Sequence, residues 1–202
     1  MSERLIYGFD PICGWCFGLV PAMRAVQAAM PDLPITLVLP GLVTGARVGP
    51  YAEMEGYIRG ASARLMAVTG RAPDEAFFEM IRRPGVKGDS GPPTAVLAAV
   101  QHAAPDRVLS LAHAMTEAHF ITGADLNCTM THRRLLDEMG LDLPTPDLHD
   151  TALIAATWAA GRGHGIASFP TLIYEAGTER SVLPSVYDPD ALIGLIADLR
   201  AA

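Results

Sequence analysis

Cys13 and Cys16 enclose the dipeptide Gly14-Trp15 and follow directly on the apolar run Leu5 to Phe9. A C-x-x-C between a strand-like run and a helical pattern is the arrangement of a redox dithiol. Such a strand delivers its first cysteine to the start of a helix, where unpaired backbone N–H groups and the positive end of the helix dipole favour thiolate over thiol. Cys13 is therefore the candidate nucleophile. Cys16 falls one helical turn later on the same face, so its sulfur can reach Cys13 to close a small disulfide or resolve a mixed one. The chemistry expected of the pair is thiol–disulfide exchange. It needs no cofactor.

Two other readings of the cysteines are weaker. Half of a zinc site would require a second Cys or His pair at similar spacing, because such sites take four ligands. Cys128 and the histidines at 102, 113, 119, 132, 149 and 164 stand singly, so no metal site is expected. Inert buried cysteines are the remaining possibility, and the strand-to-helix placement argues against it.

The elements that would hold the dithiol can be read from period. Arg4 to Phe9 predicts a first strand, and Cys13 to about Met30 a helix with Leu19, Val20, Met23, Val26 and Met30 on its buried face. Pro21 lies inside that helix and should kink it rather than end it. Ile35 to Leu39, between Pro34 and Pro40, predicts a short strand of the kind buried on both faces. From Tyr51 to about Arg162 the strand signal gives way to successive helices, read as a helical insertion. Ser90 is a candidate cap for one of them, and Leu153, Ile154 and Trp158 mark the last. Strand signal returns at Thr171 to Tyr174 and at Arg180 to Leu183 as a hairpin turning near Gly177. Asp188-Pro189-Asp190 then opens a final helix carrying Leu192, Ile193, Ile196 and Leu199.

Composition narrows the partners. The chain has 202 residues, half of them hydrophobic, and a formal charge of −7 without Lys/Arg clusters. Neither a nucleic-acid groove nor an anionic membrane surface is expected. The N-terminus lacks a basic segment followed by a long apolar one, and no stretch is apolar enough to span a bilayer, so the expected location is cytoplasmic. That compartment keeps thiols reduced, which makes Cys128 an unremarkable free cysteine.

The sequence of elements, with Asp10-Pro11-Ile12-Cys13-Gly14-Trp15-Cys16 at the first strand–helix junction, Pro21 in the helix and Ser168-Phe169-Pro170-Thr171 before the third strand, resembles the thioredoxin fold. Specifically it is similar to its DsbA-like branch, including cytosolic disulfide isomerases and polyketide-pathway dithiol-disulfide isomerases. The resemblance implies an α/β thioredoxin fold with a helical domain inserted between the second and third strands: residues 1–50 and 163–202 form the thioredoxin-like part and 51–162 the insertion. It implies thiol–disulfide oxidoreductase or isomerase activity, with Cys13 and Cys16 catalytic and protein or small-molecule disulfides and thiols, glutathione among them, as partners. It also implies that Pro170 is cis and packs against the dithiol, leaving the Phe169 main chain to pair with substrate, and Trp15 joins them as a docking residue.

The departures are informative. Family oxidants carry a histidine between the cysteines to stabilise the thiolate, and here Gly14-Trp15 stands instead. Asp10 reads as the residue opening the turn before Pro11 rather than as a proton carrier, because the family's buried acid comes from a different position. His164, a loop histidine between glycines, reads as solvated. Two further readings stand beside the oxidoreductase. One is a glutathione-dependent transferase or isomerase of the kappa-class architecture, whose members usually have serine in place of Cys13. The other is a non-enzymatic chaperone-like binder using the surface around Trp15.

Overall fold

Alternation along the first strand decides what lies on each face of the sheet. In the computed structural model, which describes residues 3–201, the chain runs β1 (Glu3–Gly8), α1 (Gly14–Ala29), β2 (Ile35–Val38), β3 (Gly49–Pro50), α2 (Glu55–Thr69), α3 (Glu75–Ile81), β4 (Lys87–Gly88), α4 (Gly91–Ala103), α5 (Val108–Thr122), α6 (Thr129–Glu138), α7 (Thr151–Gly163), β5 (Thr171–Ala176), β6 (Glu179–Val182) and α8 (Pro189–Ala201). Four strands form one sheet in the order β2-β1-β5-β6, with β1 parallel to β2 and antiparallel to β5. Leu5 and Tyr7 pair with Tyr174 and Leu172 on one face and join the main core with α1 and α8, while Ile6 and Ile173 meet Val38 and Ile166 on the other. The strand that leads to Cys13 is thus interior and covered on both sides.

β2 departs from the expected fully buried strand. It is a sheet edge, and Ile35 and Thr36 at its start are half-exposed. A short apolar run looks the same at an edge as at a centre, because burial there depends on which segment comes alongside. The two-residue ladder of β3 with β4 was likewise invisible to pattern reading, being too short to have a period.

α1 continues through Pro21, whose ring lies on the exposed face. Proline has no N–H to give the carbonyl four residues back, so the Phe17 C=O is left without its helical donor. Arg71 supplies one. Its Nη1 donates to the Phe17 carbonyl at 2.8 Å, its guanidinium lies 3.7 Å from the centroid of the Phe17 ring, and its Nη2 pairs with Glu117 of α5 at 2.6 Å. A sequence feature that should weaken α1 is thereby made into its attachment to α5 and to the segment following α2.

Replacing Arg71 by alanine should cost about 2 kcal/mol in urea denaturation, since it orphans a buried carbonyl and leaves Glu117 with only the longer contact to Arg24, at 3.6 Å. Adding Pro21→Ala restores a helical N–H at Phe17, so its benefit should be larger by about 1 kcal/mol in the Arg71→Ala background than in the parent. Strictly additive effects would show that Arg71 does not stand in for the missing donor.

Candidate active site

Cys13 is the N-cap of α1, with extended backbone (φ −89°, ψ 114°), and its own N–H donates to the Asp10 carbonyl at 3.1 Å. Cys16 is one turn further on and fully buried, with its thiol in hydrogen-bonding contact with Cys13; both cysteines are free. Burial first, and then the neighbouring Cys13 sulfur, push the Cys16 thiol well up. The two sulfurs therefore differ in access: Cys13 lines an open chamber and Cys16 lies behind it.

The Phe169–Pro170 peptide is cis, as the resemblance implied. The Phe169 carbonyl lies 3.9 Å from the Cys13 sulfur, within thiol hydrogen-bond range. Trp15 and Phe169 line the chamber, whereas Pro170 does not: it is buried to one side, beside Leu19 and Tyr187. Of the three candidate binding residues, two face the space a substrate would enter, and the third lies behind one of them. Trp15 is half-buried, its ring 5.6 Å from that of Tyr187, so it both packs and faces the chamber. Tyr187 itself has its hydroxyl pushed up to about 12, by burial and then by the two cysteines.

Asp10 is 1% exposed. Its Oδ1 accepts the Ile12 N–H at 3.1 Å, which is the expected local turn, but its Oδ2 accepts the Leu42 N–H at 2.7 Å, and the Ser90 hydroxyl lies near enough to favour the charged carboxylate. Burial raises its carboxyl to about 6 despite these donors. Ser90 does not cap α4 with its side chain as expected. Its Oγ accepts from the Val43 N–H at 2.9 Å, and the neighbouring Asp89 takes the Gly91 N–H instead. The reason is competition: a hydroxyl drawn toward a buried carboxylate is not free to turn back on its own helix.

The chamber has a volume of about 780 Å³, in the range of small-molecule sites. One wall is the loop Pro40–Val43 that Asp10 and Ser90 hold. Gly41 in it has φ +78° and lies against the Trp158 indole, where a Cβ would come within 2.7 Å. Gly161 lets α7 approach the Leu39 backbone just as closely. The opposite wall comes from α2, α3 and the 3-10 turn Tyr51–Met54. There the Tyr51 hydroxyl bonds His119 Nε2 at 3.3 Å, and because His119 Nδ1 must donate to the Ala124 carbonyl, Nε2 is the acceptor. Burial pulls His119 down to about 4, so this ring is neutral near pH 7. His164 ends α7 and does not line the chamber. Arg47, Tyr51, Glu53, Tyr57 and Arg162 of the lining were not singled out from sequence. They come from segments with no motif, and Asp10 was read only for its local turn.

Neither a protein-family model nor a curated protein matches the chain. Among solved structures it is similar to the cytosolic disulfide reductase DsbM from Pseudomonas aeruginosa, at 26% identity over 98% of this chain and 100% of that one, with a TM-score of 0.85. The structure of that reductase with GSH matches at 23% identity, 98% and 100% coverage and a TM-score of 0.83. A candidate protein disulfide isomerase from Nitrosomonas europaea matches at 19% identity over 98% and 97%, with a TM-score of 0.75. The chain has the DsbA-like thioredoxin fold, and its likeness to the reductase supports a DsbA-like disulfide oxidoreductase.

Asp10→Asn tests the buried carboxylate. A carboxyl raised from 3.8 to about 6 keeps its proton more tightly when folded, so its contribution to stability is present below pH 3.8 and is lost as pH rises through 6. The stability of Asp10→Asn relative to the parent should accordingly rise by about 3 kcal/mol between pH 4 and pH 7 in denaturant titrations. A pH-independent difference would mean that burial does not raise the Asp10 carboxyl above its unfolded value.

Proposed function

We propose that the chain is a thiol–disulfide oxidoreductase that works through Cys13 and Cys16, chiefly as a reductase, in the cytoplasm. The observation that carries this reading is the division between the two sulfurs: Cys13 at the helix start, open to the chamber and beside the Phe169 carbonyl, and Cys16 buried one turn behind it. The Cys13 thiolate attacks one sulfur of a substrate disulfide, forming a mixed disulfide and expelling the other sulfur as thiolate. Cys16, losing its proton, then attacks the Cys13 sulfur, closes the Cys13–Cys16 disulfide and releases the second substrate thiol. Two electrons pass from the dithiol to the substrate. Two equivalents of a free thiol, with glutathione the candidate, return the protein to its dithiol form.

Several features support particular parts of this reading. The similar reductase is cytosolic and has been seen with GSH, which favours reduction and a glutathione partner. Among the described residues no helix is long and apolar enough to cross a membrane. Segment 51–162, helical apart from the Lys87–Gly88 strand, acts in this scheme as an inserted unit that walls the chamber. Phe169 receives substrate through its main chain, Trp15 borders it through its ring, and Pro170 positions Phe169. Isomerase activity would be the same exchange stopped at the mixed disulfide. Neither the kappa-class transferase nor the chaperone reading gains support, because Cys13 is present and its sulfur is placed for attack.

Cys13→Ser should abolish disulfide reduction with glutathione as reductant. Cys16→Ser should retain the first attack and accumulate a protein–substrate mixed disulfide, visible as a mass increase that a strong dithiol removes. Unimpaired turnover by both variants would refute the mechanism.

A further inference from the structure

The reading above leaves the body of the substrate open, and the chamber constrains it. Cys13 is 5% exposed and faces this space, so a sulfur that meets it must bring its flanking groups inside. A volume of about 780 Å³ holds a small molecule but not a folded protein surface. The helical wall is apolar, with Tyr57, Ile58, Leu65 and Phe77 among its residues. Only three charged side chains line the chamber among the described residues: Arg47, Arg162 and Glu53. Neither arginine has a carboxylate within 4.0 Å among the described residues, although the arginines at 59, 82, 133 and 200 do. Arg47 reaches only Thr44 Oγ1, at 3.5 Å, and Arg162 only the Pro40 carbonyl, at 3.3 Å. Both remain available to an anion.

Resting on the oxidoreductase reading, we infer that the preferred substrates are low-molecular-weight disulfides with an apolar or aromatic body and a carboxylate, rather than disulfides of folded proteins. The apolar body lies against the α2 and α3 wall, the carboxylate meets Arg47 or Arg162, and the disulfide reaches Cys13. The bond changes are those of the exchange already described: the substrate S–S bond breaks, Cys13–S and then Cys13–Cys16 bonds form, and two thiols leave.

The test uses the reduced full chain in a Cys128→Ser background, because Cys128 is an exposed thiol outside the chamber. Single-turnover rates are measured with dithiobis(nitrobenzoate), which is aromatic and anionic, dithiodipyridine, aromatic and neutral, bis(hydroxyethyl) disulfide, small and neutral, and insulin. Each rate is divided by that of free glutathione with the same disulfide, which removes differences in intrinsic reactivity. The expected order is anionic aromatic, neutral aromatic, small neutral, insulin, with saturation for the first. Arg47→Gln with Arg162→Gln should lower the preference for the anionic over the neutral aromatic disulfide by roughly tenfold. Tyr57→Ser, at a side chain 66% exposed, should reduce the preference of both aromatics over bis(hydroxyethyl) disulfide. Insulin equalling the aromatics, or an unchanged charge preference in the arginine variant, would overturn the inference. Failure of Cys13 to react with any disulfide, bis(hydroxyethyl) disulfide included, would instead defeat the oxidoreductase reading.

Discussion

The site depends on one buried carboxylate. Asp10 sits just past the interior strand β1, where ionisation is costly; its oxygens accept from the Ile12 N–H and the Leu42 N–H, and the Ser90 hydroxyl lies close by. These three groups belong to the turn that carries Cys13, to the loop that walls the chamber, and to the residue before α4. A buried acceptor of this kind is worth little as a net contribution to stability but is expensive to leave unmatched, so it fixes the relative positions of the groups around it. Ser90 extends the tie by accepting from Val43, and its own N–H reaches the Val43 carbonyl at 3.0 Å. From the other side, Thr116 of α5 donates to the Pro11 carbonyl at 2.9 Å. The turn that carries Cys13 is therefore held by polar contacts from three directions before any hydrophobic packing is considered.

Within that frame one spacing gives two cysteines different environments. The residue at a helix start has the chamber in front of it, and a residue one turn on has the core around it. Exchange chemistry needs this asymmetry: an accessible sulfur to attack first, and a shielded one that reaches only its neighbour. Two tyrosines beside the cysteines, Tyr7 buried and Tyr187 half-buried, leave it undisturbed. Tyr7 and Tyr187 both have their hydroxyls pushed up, by burial and then by the cysteines, so they stay neutral and add no charge opposing the thiolate.

Local features of the fold were legible in sequence because they are set by neighbours in the chain. β1, α1, the closing hairpin and α8 follow from period, and the order of elements around C-x-x-C was enough to suggest the thioredoxin fold. Long-range features were not legible. Asp10 declares its turn with Ile12 but not its bond to Leu42, thirty-two residues away, nor its nearness to Ser90, so it reads as an ordinary turn residue. Ser90 looked like a helix cap for the same reason. The chamber is assembled from six separated stretches, and neither Arg47 nor Arg162 has a motif to mark it. β2 showed its type but not its place at the sheet edge, which depends on no strand arriving beyond it.

The glycine that follows Cys13 also has a structural account. α2 has a single fully packed residue, Leu65, and it lodges where α1 carries Gly14 and Gly18. A Cβ on Gly18 would come within 2.8 Å of the Leu65 side chain, and one on Gly14 would just touch it at 3.7 Å. An imidazole at position 14 reaches several ångströms beyond its Cβ and would drive Leu65 out. α2 would lose its anchor, and with it the chamber would lose the wall carrying Tyr57 and Ile58. The glycine in the motif is thus tied to the helix that roofs the site.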